Sequence, residues 1–167
     1  MLEIALEADG EWDSSSFWLP LAKRAAEAAI AESAYPELGD SDRPVEISVT
    51  LSSDEQVRTL NAKWRGKDKP TNVLSFPMAD ERDLTKANVA SSELLLGDII
   101  LARGVCEAEA AEKGVSVEQH ATHLLVHGIL HLLGYDHADD RQAADMEARE
   151  IRALARLGIS NPYEVTA

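Results

Sequence analysis

All five histidines of this chain fall between His120 and His137, a clustering that scattered core histidines would not produce. His127 and His131 are four residues apart in an apolar stretch that reads as a helix. They therefore share one face, about 6 Å apart along the axis. Two imidazoles so placed can converge on one metal ion at roughly 2.0–2.1 Å each. His123 lies on the same stripe but about 12 Å along the axis from His131, too far for both to reach one ion. The third ligand has to come from chain that turns back. Gly134 supplies a helix stop and His137 follows three residues later, giving His127-x-x-x-His131-x-x-Gly134-x-x-His137. Three imidazoles with an open fourth position describe a catalytic metal site rather than a closed structural one, with zinc the expected ion. Nickel and copper accept the same donors. His120 and His123 are assigned to helix packing or to a supporting role behind the ligands.

The same spacing occurs in the metzincin proteases, where a glutamate directly follows the first histidine and acts as general base. Here that position is Gly128, which cannot take a proton from water. The metal-binding spacing is kept and the proteolytic base is not. Asp136 has two readings: it orients a ligand imidazole, or it bonds to its own turn backbone. Cys106, the single cysteine, reads as a small buried helix residue rather than a nucleophile.

The second chemical cluster is Lys63-Trp64-Arg65-Gly66-Lys67-Asp68-Lys69, with four cations in seven residues. By itself it reads as a solvated turn. It stands out against a formal net charge of −14, from 16 Lys and Arg and 30 Asp and Glu. That balance argues against a general nucleic-acid coat protein.

The elements that must hold these residues follow from pattern. Residues 2–7 alternate as a half-buried strand. A helix is expected from about Ser15 to Ser33, capped by Ser15 or Ser16, with Leu21, Ala25, Ala28 and Ala29 inward. Residues 34–44, with Pro36, Gly39 and Pro44, read as a loop. Val45–Leu51 is the clearest strand, and Ser53 caps a helix to about Trp64. Residues 66–70 form a turn, and Asn72–Phe76 a strand closed by Pro77. The polar stretch 80–92 reads as an exposed loop. Leu94–Leu101 is a strand interrupted at Gly97-Asp98, where a glycine marks a bulge or a close backbone approach. Helices are expected over 103–113 and 116–133, and a last one over about 139–157, ending at Gly158. The sum is one α+β domain over residues 1–167, a four-stranded mixed sheet with about five helices. The metal site lies on a helix and the turn after it. The absence of a long apolar run, the acidic start and the lone cysteine point to the cytoplasm and away from a membrane.

The segment from His123 to His137 closely resembles the signature of the bacterial YbeY family. Leu60–Pro77 is similar to that family's central motif, Leu96–Ile100 to its strand motif, and Met146-Glu147 to the start of its closing helix. Trp64 stands where the family usually has tyrosine, and Asn72 where aspartate is usual. The resemblance implies a zinc-dependent, single-strand-specific endoribonuclease acting in ribosomal RNA maturation, at the 3′ end of the small-subunit RNA, and in ribosome quality control. It implies one zinc on His127, His131 and His137, with Arg65 and His127 catalytic. Through it the Lys63–Lys69 segment becomes an RNA-phosphate site, since a guanidinium matches phosphate oxygens bidentately. Single-stranded RNA, ribosomal particles and small-subunit proteins are the implied partners, with no DNA. Two other classes fit the metal spacing: a zinc hydrolase of another substrate, and a non-catalytic ribosome-assembly factor with a structural metal. The residues name no general base.

Overall fold

The structure, a computed structural model, describes residues 1–12, 15–85 and 93–164. The Ser15 side chain, one of the two expected caps, and residues 86–92 of the expected loop lie outside the described residues.

Alternating β-branched and aliphatic residues build the sheet. In β2 (Val45–Ser52), Val45, Ile47, Val49 and Leu51 are buried while the residues between them are half-exposed, as the period of two requires. β1 (Leu2–Ala8) and β4 (Leu94–Ala102) flank it in parallel, and β3 (Val73–Pro77) pairs antiparallel with β4. The order is β1-β2-β4-β3, a mixed sheet of four strands as expected. β4 runs through Gly97-Asp98 without a break. Glu46 pairs with Leu95 and Ile47 with Gly97, so Leu96 is the extra residue of a bulge. The bulge moves the buried phase from Leu94 and Leu96 to Ile99 and Leu101. Gly97 sits at φ 144°, where a Cβ would stand 2.3 Å from the Phe76 carbonyl oxygen and 2.8 Å from Leu132. Both expectations for this glycine, bulge and close approach, therefore hold.

Around the sheet lie α1 (Ser15–Ala31), α2 (Asp54–Arg65), α3 (Glu81–Thr85), α4 (Arg103–Lys113), α5 (Val117–Leu132) and α6 (Asp140–Arg156). α1 opens at Ser15, so Ser16 sits inside its first turn. Among the described residues there are six helices, where about five were expected. The added one, α3, lies in the stretch read as loop and is held by Leu84, 2% exposed, and by reciprocal bonds between Asp80 and Asp83. Short 3-10 turns at Gly10–Trp12 and Pro36–Gly39 bury Trp12 and Leu38. Among the described residues, no helix is long and apolar enough to cross a membrane.

α5 is the central element. A capping box opens it, Ser116 Oγ accepting from Gln119 N (3.1 Å) and Gln119 Oε1 from Ser116 N (3.3 Å). It packs against β3 and β4 on one side and against α1, α4 and α6 elsewhere. This explains its apolar character all round: Leu124, Leu125, Val126, Ile129, Leu130 and Leu132 are all buried. Each such side chain contributes roughly 1.5–3 kcal/mol relative to exposure. A helix held on so many sides is a rigid base for the two histidines it carries.

Candidate metal and phosphate site

His127 and His131 project from the C-terminal half of α5, and His137 follows on the turn after it. That turn depends on Gly134 at φ 99°, a left-handed conformation costly for other residues. The three imidazoles line one cleft of about 320 Å³ together with Arg65, Lys67, Lys69, Asn72 and Ser75. The rings of His127 and His137 are 5.8 Å apart between centroids.

Hydrogen bonding fixes which nitrogens are free. His127 Nδ1 bonds to Glu150 Oε1, and His131 Nδ1 lies 2.9 Å from the Tyr135 carbonyl oxygen. Both partners only accept, so each Nδ1 carries a proton, and in the neutral ring it is Nε2 that is left to hold a metal. These are the tautomers a metal ligand needs. As placed, no three His, Cys, Asp or Glu side chains among the described residues close to ligand spacing. Closure falls to His137, whose side chain is 61% exposed, while the other two rings are tied down. The donor set fits zinc: two imidazoles oriented through Nδ1, and a third, exposed, on the turn that follows them.

Glu150 was not singled out from the sequence, and it is the hub behind the site. Its side chain is fully buried on α6, accepting from His127, from the Tyr163 hydroxyl, and at 3.4 Å from His123 Nε2. Burial opposes its ionisation, but the bonds from His123 and His127, then that from Tyr163, outweigh it and hold the carboxyl down at about 2. Burial and the Glu150 carboxylate push the Tyr163 phenol up, so it remains a donor. A signal existed: Glu150 lies on the buried stripe of α6 with Met146, Ala153 and Leu154, where an acid is out of place without a partner.

Of the two readings of Asp136, the turn bond is formed, its Oδ1 accepting from the His137 backbone N–H at 2.7 Å, while the same oxygen lies 3.8 Å from the Nδ1 of the His137 ring. His123 reaches the site from behind through Glu150, and the His120 ring lies 5.9 Å from that of His123. His120 Nε2 bonds to Glu109 at 2.8 Å, and burial lowers its pKa against the pull of that carboxylate. Gly128 gains a second role. A Cβ there would stand 3.2 Å from Ile99, so that face of α5 is packed on the sheet and has no room for a general base.

The basic segment reaches the cleft because α2 ends beside it. Gly66 caps α2 at φ 69°, and the buried Asn61 holds the following loop through Lys69 O (2.8 Å) and Lys67 N (3.2 Å). Arg58 and Asp68 pair at 2.9 Å across the same loop. Arg65, Lys67 and Lys69 line the cleft. Lys63 does not; its ammonium sits 5.1 Å over the ring of Trp64, which is itself exposed. Asn72 donates to Glu109 at 3.0 Å, a bond that an ionised aspartate could not make.

A family model described as Endoribonuclease YbeY matches residues 18–158. A protein of Rhizorhabdus wittichii described as Endoribonuclease YbeY is 51% identical over 168 residues, covering 99% of this chain and 99% of its own. One from Sphingopyxis alaskensis with the same description is 52% identical, covering 98% of each chain. The solution structure of a Thermotoga maritima protein superposes with a TM-score of 0.54 at 25% identity, covering 99% of this chain and 97% of that one. The α+β architecture is thus shared with a solved structure, and the chain belongs to the YbeY family.

Proposed function

We propose that this chain is a zinc-dependent endoribonuclease that cuts single-stranded RNA and serves ribosomal RNA maturation, at the 3′ end of the small-subunit RNA, and ribosome quality control in the cytoplasm. One observation carries the reading: the three imidazoles and Arg65, Lys67 and Lys69 line a single cleft. The endoribonuclease description of full-length relatives supports it. His127, His131 and His137 would hold the ion, which when bound supplies Lewis acidity beside a scissile phosphate. Arg65 offers a permanent, forked charge to the phosphate oxygens, and Lys67 and Lys69 hold the neighbouring phosphates. Glu150 keeps the His127 proton on Nδ1. The acidic remainder of the surface suits docking on basic ribosomal proteins.

The test separates metal from phosphate. Protein purified without added metal is assayed for zinc content and for cleavage of single-stranded RNA, with and without chelator. His127→Ala and His131→Ala are expected to lose both metal and cleavage. Arg65→Ala is expected to keep the metal and lose cleavage, and cleavage at the parental rate would overturn its phosphate role.

A further inference from the structure

A second cavity of about 540 Å³ adjoins the cleft, sharing Asn72, Val73 and His127 with it. Its chemistry is the reverse of its neighbour's. The cleft is lined by three cations and one acid, Asp136. The adjoining cavity is lined by Glu109, Glu112 and one cation, Lys113, with the rings of His120, His123 and Tyr163. A phosphate is drawn to the first and has little to gain from the second. The second is within the size range of a small-molecule site, with flat rings and acceptors in its wall. His123, 6% exposed, is one of these rings, and its Nδ1 is a buried nitrogen without a partner among the described residues.

Glu109 is the oriented acceptor. Its Oε1 takes the Asn72 amide at 3.0 Å and His120 Nε2 at 2.8 Å, while among the described residues Oε2 has only a long contact to Asn72, at 3.4 Å. The side chain is 33% exposed, so that oxygen retains acceptor capacity toward the cavity. Tyr163, 41% exposed, offers an aromatic surface at the edge.

Resting on the endoribonuclease reading, we infer that this cavity is a nucleobase subsite: the nucleotide whose phosphate lies beside His127 and Arg65 turns its base past Asn72 and Val73 toward Glu109. The occupant is a base with an exocyclic amine, cytosine, adenine or guanine. Uracil has no such amine, and its N3–H is recessed between two carbonyl oxygens that repel the Glu109 carboxylate. Unstacked bases are recognised in this way, by an aromatic surface and by hydrogen bonds to their edges.

The test is equilibrium binding of the full chain to short single-stranded homopolymers of cytidine and uridine and to an abasic strand of equal length. Wild type is expected to bind the cytidine strand at least about tenfold more tightly than the uridine strand, the lower end of the value of one hydrogen bond to a charged acceptor. The abasic strand is expected to bind more weakly than either. Glu109→Gln is expected to remove the cytidine preference while keeping Arg65-dependent binding. Equal wild-type binding of all three strands, with binding still lost in Arg65→Ala, overturns the subsite and leaves the phosphate reading standing. A cytidine preference that survives Glu109→Gln also overturns it. Failure of all three strands to bind overturns the endoribonuclease reading and the subsite with it.

Discussion

Glu150 and Asp136 are two acids close to ligand histidines, and their partners give them different weights. Glu150 accepts the Nδ1 proton of His127, whereas Asp136 accepts a backbone N–H. Glu150→Gln keeps the shape but removes the charge, and is expected to weaken zinc affinity about 10–100-fold in chelator competition. Asp136→Asn is expected to change it by less than about threefold, the reverse ranking being the result that would unseat this assignment. Cys106 belongs to the same scale. Burial, foremost, pushes its thiol up to about 12, so the folded chain keeps it protonated and enclosed at neutral pH. A thiol reagent at pH 8 should label none of the native protein and one site per chain after unfolding in urea. Stoichiometric labelling of the native chain would show that this helix opens.

Between elements, glycines set how closely the backbones approach, and two of them separate steric from conformational cost. Gly97 combines φ 144° with a Cβ position 2.3 Å from the Phe76 carbonyl oxygen, so Gly97→Ala is expected to cost about 2–5 kcal/mol. Gly134 has φ 99° and open space, so Gly134→Ala is expected to cost only about 1–2 kcal/mol. Urea midpoints of the two variants check the order. Gly134→Ala should in addition weaken metal binding, because the turn it strains carries His137. The strand and helix identities were readable because their determinants are local: alternation in β2, the Ser53 cap of α2, the apolar stretch of α5. α3 was missed because its stretch has one apolar anchor, Leu84, and polar neighbours that suit a loop as well as a helix.

For the whole molecule, a net charge of −14 surrounds a cleft with three cations. If these three set phosphate binding, the logarithm of RNA affinity should fall with the logarithm of salt at a slope of about −2. Lys67→Ala should reduce the magnitude of that slope by about 0.7. An unchanged slope would place the phosphates elsewhere.

What the sequence determined alone was the histidine pair on one helical face, the glycine-placed His137 and the missing base at Gly128. Each depends on spacing within a few residues, which helix geometry converts directly into distance. Arg65 could be joined to the site only through the family resemblance, since nothing local links α2 to α5. Tertiary packing decided the rest: α2 ending at the histidine cleft, Lys63 left out of it, Asn72 bonded to Glu109 across 37 residues, and Glu150 behind His127 across 23. The physical reason is that a buried carboxylate on a helix stripe looks like an error in a single element. It becomes a designed contact only when a second element delivers the imidazole that satisfies it.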